Sequence, residues 1–414
     1  MLHSSASSPG VVPSDLKLNN RRRVLAAFTS GHEYTANNIA DIVGLSRLTA
    51  MKAIQFFVDK GLVISAGKGS STCTGGKRPE LFSLTSEKYL LCIDIWPESL
   101  NLTLIDFKCA VIDQIILNQP LSPDVHRAIE KVGRIAQHLL AQNHVANDAL
   151  CGVSVSTPGI IDYKTNRLKY DALSPAWGNN VPVADMLRPY FSENTQIIMD
   201  NVAKMTARSL LQDDALQHLR VLSVFSSWGL SGCLMDKGRI MNGKDSLIGE
   251  FGHMVLDPHD SERCGCGGCG CFERLVSNAR LRANAASRLR EYPDSMLASI
   301  SIHDLTAETL FNFSNRGDEL SCSLVAELAH VFALALRNIT LLFDPDLVVF
   351  QGAYANANAL FRSELHKVLA EFQYYPKSGP FELRFDLRPI TESDLQGSYV
   401  LLLDRLFGDT SLYE

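Results

Sequence analysis

The chain has 414 residues, of which 46% are hydrophobic and 20% are charged, and this composition excludes a disordered or fibrous protein. It is long enough for two or three globular domains. The first fourteen residues lack the basic segment and the apolar run of a signal peptide, and no later stretch approaches the roughly 20 apolar residues of a membrane span. We therefore expect a cytoplasmic protein without membrane insertion.

The net charge of -6 is unevenly distributed along the chain. Residues 1–88 contain 11 Lys and Arg against 6 Asp and Glu, a balance of +5, which leaves -11 for the remaining residues. Such segregation indicates a small basic module that contacts a polyanion, joined to a larger acidic body that does not.

The N-terminal part is predicted to begin with a flexible Ser/Pro-rich segment over 1–18 and to form a folded domain over 19–88. Three helices are predicted in this domain: Arg21–Ser30, Thr35–Val43 and Ser46–Lys60. Gly44 marks the turn between the second and the third helix. The stretch AGKGSSTCTGGKRP and the following LFSL then predict a wing and a linker. This order of elements is that of a winged helix-turn-helix domain.

The third of these helices has two different faces. One face is apolar by the 3.6-residue period and consists of Ala50, Ala53, Ile54 and Phe57. The opposite face carries Leu48, Lys52 and Gln55, and the last two have the donors and acceptors that base edges require. Ser46 is a good N-cap, and the helix N-terminus together with Arg47 can bind a phosphate. We expect this helix to enter a major groove, although a helical hairpin with a solvated face is the alternative.

Lys77 and Arg78 form a second candidate DNA contact, because they follow two glycines in the Gly/Ser-rich stretch. The small glycines allow a close approach to DNA, and two cations fit a narrow minor groove. A flexible linker without DNA contacts is the alternative interpretation.

From Tyr89 onward, the sequence pattern is that of strands mixed with helices. YLLCIDIW, SLNLTLIDF and AVIDQIILN are spaced as an antiparallel meander, and a helix is predicted from about Ser122 to Gln142. LCGVSVS, IIMD, VLSVFSS, GCLMDKGRI and DLVVFQG predict further strands. Strands and amphipathic helices in this mixture predict an α/β domain of two lobes.

Four of the ten cysteines fall in the sequence CGCGGCGC at 264–271, which begins eleven residues after His253. Without a secretory signal, metal binding is favoured over disulfides. His253, Cys264, Cys266 and Cys271 supply one imidazole and three thiolates, the closed tetrahedral set of a structural zinc site. Cys269 is then a spare thiol or a substitute ligand. A reduced loop without metal is the alternative.

This segment resembles the signature of the ROK family (repressors, open reading frames and kinases). The family pattern reads GE-x-GH, a spacer, C-x-C-G-x-x-G-C and x-E. It is matched by Glu250, His253, Cys264, Cys266, Cys271 and Glu273. The resemblance covers nearly the whole chain, because the repressor branch, which includes regulators of the N-acetylglucosamine, glucose and xylose type, also carries a winged helix-turn-helix and a GG-basic-Pro linker.

The resemblance implies an actin-like (ribonuclease H-like) two-lobed sugar-kinase fold that follows the winged helix-turn-helix domain. Lobe 1 is then expected at about 89–200, joined by about 385–414, and lobe 2 with the zinc site at 201–384. The resemblance also implies a homodimer or a homotetramer with a sugar bound in the cleft.

The same resemblance implies which residues bind the sugar. Glu250 and Glu273 would accept hydrogen bonds from vicinal hydroxyls, and His253 would both ligate zinc and contact the sugar. Pro158 and Gly159 match the sugar-side PG-x-x-D turn of the family. For this loop, an ordinary structural turn is the alternative.

The catalytic base of the family's kinases lies within ENDAN, which corresponds here to MDNVAK. In one alignment Asp200 takes the place of the base, so that it is a vestigial base and a sugar ligand. An alignment shifted by two residues puts Val202 there instead. Capping of the following helix is also a sufficient reason for Asp200.

The three nucleotide elements of the family are changed. In the first phosphate loop, D-x-G-G-T, the glycines are replaced by bulky or acidic residues within Trp96-Pro97-Glu98. The second loop, G-x-G-G-G, reads Gly229-Leu230-Ser231-Gly232-Cys233, and the adenosine-side GG reads Gln351-Gly352. Loss of kinase activity with retained ligand binding is the interpretation we favour.

The leading hypothesis is therefore a regulator, most simply a repressor, of carbohydrate genes. It would bind a double-stranded DNA operator and respond to a sugar or sugar phosphate. An active sugar kinase with an attached DNA-binding domain is the second hypothesis, and nucleotide binding would separate the two. A regulator controlled by a phosphotransferase-system protein is the third.

Overall fold

The computed structural model of the chain describes residues 13–30, 32–69, 78–146, 148–371 and 381–413. Their contacts divide the chain into two compact units, the first drawn from 1–155, 183–199 and 398–414, and the second from 156–182 and 200–397. Each unit contains one five-stranded sheet with helices, which confirms the predicted α/β class. The domain boundaries that the sequence predicts do not coincide with this division, and they stay a prediction.

The described residues form strands throughout both units. In chain order they are β1 (Tyr34–Thr35), β2 (Val63–Lys68), β3 (Glu80–Leu84), β4 (Tyr89–Ile95), β5 (Leu100–Asp106), β6 (Val111–Leu117), β7 (Leu150–Thr157), β8 (Ile160–Asp162), β9 (Arg167–Tyr170), β10 (Gln196–Asn201), β11 (Arg220–Ser226), β12 (Leu230–Asp236), β13 (Arg239–Ile240), β14 (Leu347–Gly352) and β15 (Glu382–Phe385).

The described residues also form twelve α-helices, some of which follow one another without an intervening strand. In chain order they are α1 (Pro13–Ala27), α2 (Ala36–Ile42), α3 (Arg47–Asp59), α4 (Val125–Gln142), α5 (Val183–Leu187), α6 (Val202–Arg208), α7 (Phe272–Leu275), α8 (Asn278–Arg288), α9 (Ala307–Asn315), α10 (Glu319–Phe343), α11 (Ala359–Glu371) and α12 (Ile390–Leu406).

The N-terminal part of the first unit consists of α1, α2 and α3 with a small antiparallel sheet in the order β1-β3-β2. Thr35 and Asn38 form a reciprocal capping box at the start of α2. The Ser46 hydroxyl accepts the Thr49 N–H at 3.2 Å and so caps α3. Gly44 adopts φ +59° between α2 and α3, a left-handed conformation that favours glycine. The second and third helices and the turn therefore lie where the sequence predicts them.

The first helix is longer than the sequence pattern suggests. It begins at Pro13, whereas the pattern predicts a start at Arg21 and a flexible segment over 1–18. Proline is favoured in the first turn of a helix, because its missing N–H would have no partner there. The Ser/Pro-rich composition therefore conceals a helix start, and residues 1–12 lie outside the described residues.

The larger sheet of the first unit has the strand order β10-β7-β4-β5-β6. The strands β4, β5 and β6 form the predicted antiparallel meander. The amphipathic helix α4 buries Ile129, Val132 and Leu139, and it lies against β5 and β6.

The sheet of the second unit has the order β13-β12-β11-β14-β15. The strands β11 and β12 are antiparallel, whereas β14 lies parallel to both β11 and β15. The core beside this sheet is rich in aromatic rings, with Phe332 packed edge-on against Phe272 and Phe361. This arrangement positions the β11–β12 turn and the loops that carry the candidate site.

From the sequence, no stretch is expected to be long and apolar enough to span a membrane, but α10 contradicts this expectation. Its 25 residues pass that test by length and composition. However, eleven of them are buried in the core of the second unit, among them Leu328, Phe332 and Leu336. This pattern is typical of a core helix that other elements surround.

Candidate functional site

The predicted zinc ligands lie together in the second unit. One nitrogen of His253 and the sulfurs of Cys264, Cys266 and Cys271 all lie within 4.8 Å of one another. His253 ends a 3-10 turn, and Cys271 is the N-cap residue of α7, so that two short elements hold the ends of the loop. The structure therefore brings together four groups that the sequence separates by up to eighteen residues.

The distances within this cluster fit a tetrahedral metal ion. With Zn–S bonds of about 2.3 Å and Zn–N bonds of about 2.0–2.1 Å, a tetrahedral zinc ion separates two sulfurs by about 3.8 Å and sulfur from nitrogen by about 3.6 Å. Cys266 Sγ lies 3.6 Å from Cys271 Sγ, and Cys264 Sγ lies 3.5 Å from His253 Nδ1. The donor set and its spacing therefore fit zinc, with Nδ1 as the imidazole ligand.

The protonation of these thiols is set by burial and by local hydrogen bonds. Burial raises the pKa of Cys264 above its ordinary value and that of Cys271 to about 12. The pKa of Cys266 is lowered, chiefly because the Gly268 N–H donates to its sulfur. Two of the thiols are thus protonated at neutral pH in the absence of a cation, and metal binding would release their protons.

Cys269 does not belong to this cluster. Its sulfur lies 3.8 Å from the Ser261 carbonyl oxygen, and it is not among the four ligand groups that converge. Next to it, Gly270 adopts φ +70°, and an added Cβ would lie 1.8 Å from the Asp257 carbonyl oxygen. The loop therefore needs glycine at 270, and this turn directs Cys269 and Cys271 to different surroundings.

A cavity of about 960 Å³ lies beside this cluster, within the second unit. The predicted sugar residues Pro158, Gly159, Glu250, His253 and Glu273 all line it. These five residues come from three separate segments: the 3-10 turn with its N-cap, α7, and the loop after β7. The structure thus brings five of the six predicted sugar residues to one cavity.

The carboxylates of this cavity lie in a partly desolvated environment. Burial raises the pKa of Glu250, the charge of His253 lowers it and the charge of Glu273 raises it. Glu250 Oε2 lies 3.9 Å from His253 Nε2, the nitrogen that faces away from the cysteines. Glu273 Oε2 accepts the Leu230 N–H at 2.7 Å. Each carboxylate keeps acceptor capacity for ligand hydroxyls.

Asp200 is the sixth predicted sugar residue, and it does not line the cavity. It is buried and forms an ion pair of 2.7 Å with Arg208 on α6. Val202, two residues later, does line the cavity. The geometry therefore favours the shifted alignment, in which Val202 stands where the kinases have their base. Asp200 instead has a structural role. It forms the buried ion pair with Arg208 and accepts a hydrogen bond from the Asn201 N–H at 2.9 Å.

Asn201 is a cavity residue that the sequence reasoning missed. Its Nδ2 donates to the Gly159 carbonyl oxygen at 2.7 Å, and its Oδ1 caps α6 by accepting the Ala203 N–H at 2.8 Å. Asn201 therefore ties the loop after β7 to the start of α6. The sequence did contain a signal for this residue. In the alignment that puts the catalytic base at Val202, the first asparagine of ENDAN falls on Asn201.

The segments that correspond to the nucleotide elements of the family make other contacts in the structure. The Trp96 N–H closes a tight β4–β5 turn with the Ser99 carbonyl at 2.9 Å, and Pro97 has no N–H to offer. In the second loop, the Leu230 N–H is occupied by Glu273. The amide of Gln351 is buried and bonds Ser223, Thr206 and Asp386.

The predicted DNA contacts lie mainly on one face of α3. Arg47, Lys52 and Gln55 are exposed, and Leu48 is 67% exposed. Ser46 is the N-cap of this helix. Arg78 is exposed just before β3, whereas Lys77 lies outside the described residues.

Comparisons with known proteins give three relevant likenesses. A xylose repressor from Caldicellulosiruptor bescii is 22% identical over 361 residues, which cover 86% of this chain and 88% of the repressor. A glucokinase from Halalkalibacterium halodurans is 27% identical over 223 residues, which cover 53% of this chain and 66% of the glucokinase. The relative that carries the name of a repressor thus spans much more of the chain.

The third likeness is to a crystal structure described as a ROK family transcriptional regulator, a homolog of the Escherichia coli MLC protein. It matches with a TM-score of 0.78 at 16% identity and covers 96% of this chain and 100% of that chain. At this identity the likeness concerns the fold, and it confirms the predicted fold class. The model of the family described as the ROK family matches residues 90–394.

Proposed function

The chain belongs to the ROK family, and from this membership we propose that it is a DNA-binding transcriptional regulator, most simply a repressor, without kinase activity. The N-terminal domain, a winged helix-turn-helix over 19–88, binds operator DNA, and a sugar in the cavity changes that affinity. The observation that carries this proposal is the exposed polar face of α3, which lies outside residues 90–394 that the ROK family model matches.

Several features of α3 support its role as the recognition helix. Its apolar face, including Ile54 and Phe57, is buried, while Lys52 and Gln55 face solvent. Gln55 Nε2 donates to Asp59 at 2.9 Å, a surface bond that can be exchanged for a base edge. Arg47 lies in the first turn of α3, where the helix dipole also favours a phosphate.

The sensor function rests on the cavity. Glu250 and Glu273 accept hydrogen bonds from sugar hydroxyls, and Asn201 positions the Gly159 loop beside them. We further propose that His253, Cys264, Cys266 and Cys271 hold a structural zinc ion. His253 then binds the metal through Nδ1 and presents Nε2 toward Glu250, so that the metal site fixes the orientation of a cavity side chain.

Loss of kinase activity is proposed because three requirements of phosphoryl transfer are unmet. Val202 cannot remove a proton from a sugar hydroxyl. Pro97 has no N–H to bind phosphate, and the N–H of Leu230 is already bonded to Glu273. The sugar-side groups persist, and this combination fits a sensor.

We expect a homodimer to bind a pseudo-palindromic operator whose half-sites are about 10 or 21 bp apart, because a two-fold dimer presents two recognition helices. Lys52→Ala is expected to weaken specific binding by about 1–3 kcal/mol, the cost of one base contact. Footprinting and mobility-shift titrations with the operator and with an unrelated duplex measure this difference.

Lys367→Ala is the matched control for Lys52→Ala, because it removes an exposed lysine from a helix of the second unit. It is expected to leave operator affinity unchanged. Glu250→Ala is expected to abolish the effect of sugar on operator affinity while leaving the affinity of the unliganded protein intact. Equal affinity for all DNA sequences, or loss of all DNA binding in Glu250→Ala, would contradict the proposal.

We expect no ATP-dependent phosphorylation of any common hexose in a coupled assay. Restoring the base alone, with Val202→Asp, is not expected to create turnover, since Pro97 and Glu98 remain in the first phosphate loop. Ordinary kinase turnover of the unmodified protein would overturn this part of the proposal and favour a sugar kinase with an attached DNA-binding domain.

A further inference from the structure

The cavity extends well beyond the carboxylates, and we propose that its ligand is an uncharged glycoside that carries an apolar substituent. This inference rests on the proposed function, because it names the class of the sugar effector. The cavity volume of about 960 Å³ lies at the upper end of the roughly 300–1,000 Å³ typical of pockets for drug-sized ligands. A single pyranose ring held by Glu250 and Glu273 leaves much of this volume unfilled.

The charges of the lining residues favour an uncharged ligand. Lys204, whose charge lowers the pKa of Glu250, is buried, does not line the cavity and donates to Asn242 at 3.0 Å. The carboxylic acids among the described lining residues are Asp171, Glu250 and Glu273, and none of these described residues is Lys or Arg. A phosphate group is bound in proteins by cations or by several free N–H groups, and near carboxylates it meets like charge. The cavity therefore suits a neutral sugar better than a sugar phosphate.

Much of the remaining lining is apolar, and part of this apolar surface is exposed to solvent. Fifteen large apolar side chains are exposed in the described part of the chain, and six of them line this one cavity. These six are Tyr170, Leu173, Trp228, Met241, Leu247 and Leu342. Exposed apolar groups concentrated in this way mark a binding surface, because covering them removes apolar area from water.

Trp228 is an apolar lining residue that lies close in sequence to a residue bonded to the carboxylate of Glu273. It is 57% exposed and lies in the turn between β11 and β12, which the Ser227 N–H closes by donating to the Gly229 carbonyl at 2.9 Å. The next two residues contact Glu273: Gly229 passes close to its Oε2, and Leu230 donates to it. A sugar bound by Glu273 therefore presents a substituent to the indole ring.

Calorimetric titration of the full-length protein with matched glycosides tests this inference. The probes are glucose, xylose and N-acetylglucosamine, their methyl and phenyl β-D-glycosides, and the 6-phosphates of glucose and N-acetylglucosamine. For the sugar that binds, we expect the phenyl glycoside to have a Kd at least about tenfold lower than the methyl glycoside, because the phenyl ring covers apolar area. The 6-phosphate is expected to bind more weakly than the free sugar.

Two substitutions test which side chains of the cavity cause the preference for the phenyl glycoside. Trp228→Ala and Leu342→Ala are each expected to reduce the phenyl-to-methyl preference severalfold, because each weakens binding of the phenyl glycoside more than binding of the methyl glycoside. Leu341→Ala is the matched control, because Leu341 precedes Leu342 on α10, is 60% exposed and does not line the cavity. It is expected to leave the preference intact.

Other results would overturn the inference in distinguishable ways. Equal Kd values for phenyl and methyl glycosides, or tighter binding of the 6-phosphate, would overturn it and leave a sugar-responsive regulator in place. If Leu342→Ala converts a dimer into a monomer in sedimentation experiments without changing the preference, the apolar residues contact a second copy instead, and the inference fails. Absence of binding by every sugar and glycoside would overturn the proposed sensor function itself.

Discussion

Cys271→Ser is expected to release the zinc ion proposed for the cluster of His253 and three cysteines and to lower the free energy of unfolding by more than about 4 kcal/mol, an effect typical of losing a structural metal. Cys271 is buried, its sulfur lies 3.6 Å from Cys266 Sγ, and it immediately precedes α7. Removing this ligand opens the coordination shell and leaves the buried groups of the loop without their common partner. Elemental analysis of protein purified without chelator, together with urea denaturation, measures both effects.

Cys269→Ser is the matched control, since it makes the same substitution two residues away in the same loop. The Cys269 sulfur lies against the Ser261 carbonyl oxygen and outside the ligand cluster. This variant is expected to retain one zinc ion per chain and to change the free energy of unfolding by less than about 1 kcal/mol. Metal-free unmodified protein, or equal metal content in the two variants, would contradict the predicted ligand set.

Tyr413→Ala is expected to destabilise the first unit by about 3–5 kcal/mol, the usual cost of removing a large buried aromatic ring. The ring of Tyr413 is buried and packs edge-on against Phe57 of α3 at a centroid distance of 6.0 Å. Its hydroxyl donates to the Phe407 carbonyl, and burial raises the pKa of Tyr413 to about 12, so that the donor keeps its proton. Urea denaturation and hydrogen exchange of the α3 amides measure the loss.

The backbone beside Tyr413 is also bound to the N-terminal helices. Arg21 of α1 donates to the Tyr413 carbonyl and stacks on Phe56, and Lys60 donates to the Leu412 carbonyl at 3.1 Å. The C-terminal segment therefore supports the buried face of the proposed recognition helix. We expect operator affinity to fall together with the protection of α3 in Tyr413→Ala.

Tyr413→Phe separates packing from hydrogen bonding, because it keeps the ring and removes only the hydroxyl. It is expected to cost about 0.5–1.5 kcal/mol, the net contribution of one hydrogen bond. If Tyr413→Ala unfolds at the same urea concentration as the unmodified protein and exchanges its α3 amides no faster, the C-terminal segment does not support this helix.

His253 is the residue that relates the metal cluster to the proposed sensor. Its Nδ1 lies 3.5 Å from Cys264 Sγ, and its Nε2 lies 3.9 Å from Glu250 Oε2. A metal bound to Nδ1 fixes the tautomer of the ring and its orientation in the cavity. The proposed metal ligands and the proposed sugar ligands thus share one side chain, that of His253.

Features that depend on neighbouring residues could be predicted from the sequence. The third helix begins after Ser46 and ends before Lys60, because its cap and its apolar period are both local. The close spacing of Cys264, Cys266 and Cys271 already limits how far apart their sulfurs can lie, so the candidate metal site could be read from the chain. The family resemblance rested on this same stretch.

Features that depend on distant residues could not be predicted from the sequence and required the folded structure. The sequence allowed either Asp200 or Val202 in the position of the base, and the buried ion pair with Arg208 removes Asp200 from the cavity. The contact of Tyr413 with Phe57 joins residues more than 350 positions apart. No local pattern encodes such a contact, because its free energy comes from apolar surface that is buried only when both segments have folded.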